Sequence, residues 1–260
     1  MHFLLPQTSN FAMLTPMTDW LALLLEAKQR GEPLVLAESP LPGCGRVLAL
    51  APHPDDPDTP GVLLRALACG GWEVYWSILT SGWSGVQDDF VGPDRLAKGL
   101  AREGEQRASA EHFGLPMERL AFLRLPETEE GELAETEENR RAIFAHLDAL
   151  APDLVVLPHG NDSNATHRLA YRWFAAWAES HRVVAFAFQD PKSLDFYPDF
   201  LLTFDEETVA WKSTLLECHR SQSARNQATR GITFAERILA VNREGEGFAE
   251  RYQVVIWNGA

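Results

Sequence analysis

Apolar residues fall along this chain in two alternating rhythms. Val47–Ala51, Trp72–Leu79, Asp153–Leu157 and Arg182–Phe188 are short, nearly continuous apolar runs. Such runs predict strands buried on both faces, as in a parallel sheet. Between them, apolar residues recur at helical spacing. The spacing predicts helices over Val62–Cys69, with Gly70-Gly71 as the stop, Arg95–Phe113, stopped by Gly114, Asn139–Leu150, His167–Ala178 and Glu206–Ser223. Leu120–Leu125 reads as a short strand and Phe248–Trp257 as a β-rich tail. Strands alternating with helices predict an α/β fold: a Rossmann-like, doubly wound, mostly parallel sheet with helices on both faces, in three α/β/α layers.

The start of the chain is different in character. Residues 1–14 read as an irregular arm, and Thr18-Asp19 opens a helix with Trp20, Leu21, Leu24 and Leu25 on one face, ending near Gly31. A connector over 33–45 has room for a short strand at Leu34–Ala37. The expected organisation is an N-terminal arm and helix (1–45) packed on a main domain (46–260).

The polar residues cluster at the ends of the apolar runs. Val47–Ala51 passes directly into Pro52-His53-Pro54-Asp55-Asp56, the 72–79 run into Thr80-Ser81-Gly82, and the 153–157 run into a stretch holding His159, Asp162, Asn164 and His167. In open α/β sheets this rim is where ligands bind. Pro52, Pro54 and Pro57 restrict the first loop to stiff, extended conformations. A stiff loop carrying imidazole and carboxylate suits a zinc-type divalent ion. Asp55 and Asp56 could instead cap the following helix, but capping explains neither His53 nor the prolines. His53, Asp56 and His167 can be read as a three-ligand set with an open position, the arrangement of catalytic zinc. Asp55, pointing to the other side of the loop, could then act on bound water.

Composition narrows the partners. A formal net charge of −14 argues against nucleic acid, which requires clustered Lys and Arg. Cys44, Cys69 and Cys218 are too few and too scattered for a disulfide framework or a Cys-type zinc site, so a cytoplasmic location is expected. Residues 1–14 lack the basic and apolar regions of a signal peptide, and no apolar run is long enough for a membrane span. No G-x-G-x-x-G follows the first buried strand, which weighs against a nucleotide-binding fold, and no second carboxylate-rich set suggests a phosphoesterase.

In order and spacing, the motifs resemble the PIG-L/LmbE family of zinc-dependent de-N-acetylases. They are Ala51-Pro52-His53-Pro54-Asp55-Asp56, Leu79-Thr80-Ser81-Gly82, Arg102-Glu103-Gly104-Glu105, Pro152–Leu157 leading to Asp162–Arg168, Lys212 with His219-Arg220-Ser221-Gln222, and Gly247–Tyr252. The resemblance implies hydrolysis of an N-acyl group, N-acetyl in the family, on an amino sugar or similar polar amine. It implies one Zn2+ held by His53, Asp56 and His167, with Asp55 as general base. Arg102 would line the substrate pocket, and His219 would face the site and stabilise charge in the transition state. Trp83 and His159 are further substrate-binding candidates, each with a plainer use in loop packing or loop hydrogen bonding. The expected partner is a small N-acylated molecule, and an oligomer is compatible with the sequence.

One departure matters. Where the family has His-Pro-Asp-His, this chain has Asn164-Ala165-Thr166-His167. Asn164 could donate to an oxyanion but cannot deliver a proton, so the acid role would pass to His219, His159 or protonated Asp55. The alternative expectation is a metal-binding homologue that no longer catalyses and acts as a binding or regulatory protein.

Overall fold

The computed structural model of the chain describes residues 19–259. The irregular arm expected over 1–14 lies outside the described residues. In chain order, α1 (Asp19–Arg30) leads to β1 (Leu34–Ala37), β2 (Arg46–Ala51), α2 (Gly61–Cys69) and β3 (Glu73–Ile78). A short α3 (Asp88–Val91) precedes α4 (Arg95–Phe113), β4 (Leu120–Phe122), α5 (Glu137–Leu150), β5 (Leu154–Pro158), α6 (Ala165–Ala178) and β6 (Arg182–Phe188). The last part holds β7 (Phe200–Phe204), α7 (Glu206–Glu217), α8 (Arg220–Arg230), α9 (Phe234–Asn242), β8 (Arg243–Glu244) and β9 (Gly247–Asn258).

The strands form one sheet in the order β1-β7-β9-β6-β5-β2-β3-β4, with β8 pairing β9 at its side. Its pairs are parallel except those of β9, which runs antiparallel to β6, β7 and β8. The mostly parallel three-layer α/β/α fold expected from the sequence is the fold observed. Strand alternation divides the core between two faces. Val47, Ala49 and Ala51 of β2 pack with Leu24 of α1, Leu63 of α2 and Ala110 of α4. Leu48 and Leu50 face the other way, toward Ile143 of α5 and Phe174 of α6. Among the described residues, no helix is long and apolar enough to cross a membrane.

The order of strands fixes where a ligand fits. From β2 the chain builds outward through β3 and β4, then returns to the other side of β2 with β5. The switch therefore falls between β2 and β5, and a crevice opens beyond their carboxyl ends. The loop leaving β2 carries His53, and the loop leaving β5 leads into the first turn of α6, which carries His167.

Four elements have no counterpart in the sequence reading, the short α3 and β8 together with β7 and α9, and one helix is divided. Phe200–Phe204 is a short apolar run that pairs β1 and β9. Helix α9 opens with a capping box, Thr233 with Glu236, a local signal that marks its start. The helix expected over 206–223 breaks at Cys218-His219, and Arg220 begins α8. At the break, Ser221 donates from its backbone N and its Oγ to Glu105, both at 2.7 Å. Glu105 of α4 is thereby tied to the start of α8.

Behind the β2 loop a buried charge cluster ties the last strand to the first helix after the loop. Glu250 of β9 accepts from the backbone N of Val62 at 2.9 Å and of Leu63 at 2.8 Å, meeting the free donors of the α2 N-terminus. Lys212 of α7, fully buried, donates to Glu250 Oε1 at 2.6 Å, Asn242 Oδ1 at 2.8 Å and the Thr59 carbonyl at 2.6 Å. Removing one member of a buried ion pair strands the other without compensation. Lys212→Met should therefore lower unfolding stability by about 3–5 kcal/mol, read from urea denaturation; a loss below about 1 kcal/mol, the scale of an exposed pair, would contradict this account of the cluster.

Candidate active site

The Pro-rich loop after β2 is held in an uncommon conformation. Asp55 has φ 101° and ψ −30°, a region that a non-glycine residue occupies at a cost of order 1–3 kcal/mol. The surrounding contacts over-determine it. The Asp55 backbone N donates to Gln106 Oε1 at 2.8 Å, and Arg102 Nη2 donates to both the Pro54 carbonyl and Asp55 Oδ1. Arg102 Nη1 reaches the Gly82 carbonyl at 2.9 Å. Gly82 is itself at φ +60°, and a Cβ there would lie 2.3 Å from Arg102 Nη1. Thr80, after β3, closes the other side with its Oγ1 2.8 Å from the Pro52 carbonyl.

The same loop turns Asp56 and His53 toward α6. Asp56 Oδ2 accepts from the His53 backbone N at 2.8 Å and lies 3.2 Å from His53 Nδ1. Its Oδ1 lies 3.4 Å from His167 Nε2. Asp162 Oδ2 accepts from His167 Nδ1 at 3.0 Å, fixing the tautomer that leaves Nε2 for the site. His167 is fully buried, and its Nε2 has no hydrogen-bond partner. An orphaned ring nitrogen facing a carboxylate and a second imidazole is a metal-ligand environment, and His53, Asp56 and His167 lie close enough to share one ion.

The electrostatics favour positive charge at this point. Burial pushes His53 down from its ordinary value and Asp56 only partly restores it, so the ring favours the neutral, ligating form. Burial raises Asp56, but the two histidines more than offset it and hold the carboxyl well below its usual range. For His167, burial and Lys192 act downward, whereas Asp56 and Asp162 prevail and push it up to about 9. Asp190 Oδ2 stands 3.8 Å from His167 Nδ1, and burial raises its carboxyl.

Of these groups, His53, Asp56 and Asp190 line a cavity of about 440 Å³, within the range of small-molecule sites, and the fully buried His167 stands behind Asp56. Asp55 and Arg102 also line the cavity, with Gly82 and Gly85 on one side and Asn164 and Thr166 on another. Asn164 caps α6: its Oδ1 accepts from Thr166 N at 2.9 Å and His167 N at 3.3 Å, and its amide NH2 is left for other contacts.

Three candidates lie away from this cavity. His219 is fully buried at the break before α8, with Nε2 donating to Asp58 Oδ2. Asp58 in turn accepts from Ser109 Oγ at 2.7 Å and lies 3.5 Å from Gln106 Nε2. Burial acts to lower the His219 pKa, but Asp58 overrides it and the net shift is upward. His219 therefore supports the loop from behind and does not line the cavity, contrary to the expectation that it faces the site. His159 is held by the Asn161 carbonyl at 3.1 Å and Gln253 Oε1 at 2.7 Å and borders a separate surface groove. The Trp83 ring stacks under the Arg95 guanidinium, 4.3 Å from its centroid, and is a loop-packing residue. The loop hydrogen bonds of His159 and the packing of Trp83 are the plainer uses open to them in the sequence.

Sequence reasoning left other members of the site without a role. Asp162 stands in the strand-end cluster, but its service to His167 depends on the turn into α6. Gln106 and Asp58 have no motif of their own. Lys192, Arg225, Arg230 and Arg237 also line the cavity, and they come from the segment after β6 and from α8–α9.

Comparison with known proteins places this geometry in context. The family profile PIG-L, described as GlcNAc-PI de-N-acetylase, matches residues 48–178, just over half of the chain. No curated protein sequence matches. Among solved structures, N,N'-diacetylchitobiose deacetylase from Pyrococcus horikoshii is similar at TM-score 0.65 and 20% identity, over 81% of this chain and 84% of that one. A deacetylase triple mutant from the teicoplanin biosynthetic pathway gives TM-score 0.62 and 18% identity, over 81% and 98%. The 4-carboxy-2-hydroxymuconate hydratase GalB from Pseudomonas putida KT2440 gives TM-score 0.60 and 18% identity, over 81% and 96%. At these identities the likeness shows the fold.

Two outcomes are expected. Metal analysis should find about one equivalent in the wild type and a small fraction in His167→Ala, whereas Asp162→Asn should weaken metal affinity about 10–100-fold through the lost support of His167. Equal metal content in wild type and His167→Ala would exclude the ligand. The second follows from protonation. In the metal-free protein His167, raised to about 9, carries its proton at neutral pH. Its partners therefore stabilise that state fully below its unfolded pKa of about 6.5, and this contribution is lost as pH rises through the folded value. Zinc uptake at neutral pH should accordingly release a proton from His167, and the release should vanish above the folded pKa. Calorimetry in buffers of different ionisation enthalpy measures it.

Proposed function

This chain belongs to the PIG-L family, and on that premise we propose that it is a zinc-dependent hydrolase removing an N-acyl group, N-acetyl in the first instance, from an amino sugar or similar amine. The fold by itself is compatible with other chemistry, since a hydratase shares it. The observation that carries the proposal is the pairing, at one cavity, of the His53–Asp56–His167 cluster, whose first two members line it, with a neighbouring carboxylate, Asp55, held by Arg102 rather than by that cluster.

A zinc ion held by His53, Asp56 and His167 would supply Lewis acidity toward the amide carbonyl and activate water near neutral pH. The protein's own groups would do the rest. Arg102 fixes Asp55 through Oδ1, which leaves Oδ2 as the proton acceptor for the attacking water. Water adds to the carbonyl carbon, the C–N bond breaks, and the proton taken by Asp55 passes to the departing amine nitrogen. The Asn164 amide NH2 is available to the carbonyl oxygen as charge develops on it, a kind of contact worth about 2.7–4 kcal/mol elsewhere. His219 and His159 lie off the cavity, so Asp55 would serve as base and then as acid. The inactive-homologue alternative gains no specific support, because Asp55 and the three ligands are all retained.

The test is acetate release from N-acetylglucosamine conjugates by the zinc-loaded protein. Asp55→Asn should keep its metal and lose about 10²–10⁴-fold in kcat. A variant that loses metal and activity together would mean that Asp55 is a ligand rather than the base. Wild-type protein with full metal and no amide hydrolysis would reject the activity.

A further inference from the structure

Five cationic side chains line the cavity, in a chain whose acids outnumber its bases 37 to 23. Two of them have carboxylate company. Arg102 binds Asp55, and Lys192 Nζ lies 4.0 Å from Asp190 Oδ2. The other three, Arg225 and Arg230 of α8 and Arg237 of α9, are different. Among the described residues none of them has a carboxylate within ion-pair distance, although many other arginines of this chain have one.

Their own contacts are sparse. Arg230 Nη1 meets only neutral oxygens of its helix, Thr229 Oγ1 at 2.8 Å and Asn226 Oδ1 at 3.5 Å. No side-chain hydrogen bond engages Arg225 or Arg237 among the described residues. Arg225 and Arg230 are exposed and Arg237 half-buried, so their donors stand at the cavity mouth. The three also act on one another. After burial, Arg102 and Arg230 lower Arg225 against a smaller opposing pull from Asp55, while Arg230 and Arg225 lower Arg237 against Asp190 and Asp55, and the net shift of both is downward.

Mutual repulsion among like charges is unfavourable unless something else resolves it. The acids lining this cavity form no ion pair with the three arginines among the described residues. Asp55 and Asp56 are engaged with Arg102 and the two imidazoles, Asp190 accepts from the Lys192 backbone N and Ser193 Oγ, and Glu130 and Glu132 are the remaining carboxylates of the lining. Positive charge is thus segregated on the α8–α9 wall. Planar guanidinium donors grouped without an internal acceptor match the oxygens of a carboxylate or a phosphate.

We propose that Arg225, Arg230 and Arg237 form an anion subsite, and that the substrate carries a carboxylate or phosphate group which this wall binds while the N-acyl group lies over His53 and Asp56. The subsite extends the de-N-acylase reading and rests on it for the second half of that statement. It also accounts for a cationic wall on so acidic a protein, because an anionic substrate approaching a negative molecule needs a local attractive field.

Three probes test it with the zinc-loaded full chain: N-acetylglucosamine 1-phosphate, the carboxymethyl glycoside of N-acetylglucosamine, and its neutral methyl glycoside. The wild type should favour at least one anionic probe over the neutral one by about 10–100-fold in kcat/KM. The preference should shrink as ionic strength rises. The relative kcat/KM of the two anionic probes tells which anion is read. Replacing all three arginines, Arg225→Gln, Arg230→Gln and Arg237→Gln, should bring the ratio close to one, while the corresponding lysine variants keep part of it. Metal content and the thermal midpoint of each variant separate this effect from damage to the metal cluster or the fold.

Equal turnover of all three probes by the wild type, or a preference untouched in the triple glutamine variant, would overturn the subsite and leave the deacylase reading standing. Failure to hydrolyse any probe would reject the deacylase reading instead, and titration calorimetry would then decide the subsite alone. Tighter binding of an anionic than of the neutral probe, lost in the triple glutamine variant with its metal intact, supports it. Binding that ignores either change overturns it.

Discussion

Buried carboxylates set the terms on which this protein folds. Asp55, Asp56, Asp58, Asp162 and Asp190 all lie in the interior near the ends of β2, β5 and β6. An unpaired carboxylate in such a place is so costly that it would protonate or drive the loop into water. Each one is instead matched. Arg102 meets Asp55, the two imidazoles flank Asp56, His219 and Ser109 meet Asp58, and His167 meets Asp162. Asp190 has Lys192 and Ser193 at its Oδ1, through donors 2.8 and 3.1 Å away. The loop geometry follows from these pairings, including the left-handed φ of Asp55.

The pairing partners come from distant parts of the chain. Arg102, Gln106 and Ser109 project from one face of α4, an arrangement that puts three supports beneath a single loop. His219 reaches Asp58 because the helix expected over 206–223 breaks beside it. Lys212 and Glu250 secure the start of α2, which fixes the exit of the loop as the prolines fix its entry. The family profile covers 48–178, yet much of what holds its ligand loop in place lies in α7, α8 and β9. The C-terminal part is therefore a brace for the site as well as an extension of the sheet.

Charge is distributed with the same economy. A molecule of net charge −14 gathers cations along the lining of one cavity that His53 and Asp56 also line. The one of these cations on α4, Arg102, is neutralised internally by Asp55 and sets the conformation of the loop, while the three arginines on α8–α9 line the cavity without an ion-pair partner among the described residues.

What the sequence determined by itself was everything carried by local pattern. Continuous apolar runs marked the central strands, and helical spacing marked most of the helices, because burial imposes those periods directly on neighbouring residues. The stiff His-Pro-Asp-Asp loop was legible for a similar reason: its prolines and ligands are adjacent in the chain. Of the candidates, His53, Asp55, Asp56, Arg102 and Asn164 line one cavity, and the buried His167 lies beside His53 and Asp56. Only the tertiary structure decided the rest. His219, His159 and Trp83 are chemically suited to a site, yet which way each ring faces is set by Asp58, Gln253 and Arg95, residues far from two of them in sequence. Asp162, Asp190 and the α8–α9 arginines belong to the cavity through crossovers of the sheet and a helix break, and no spacing along the chain encodes such meetings.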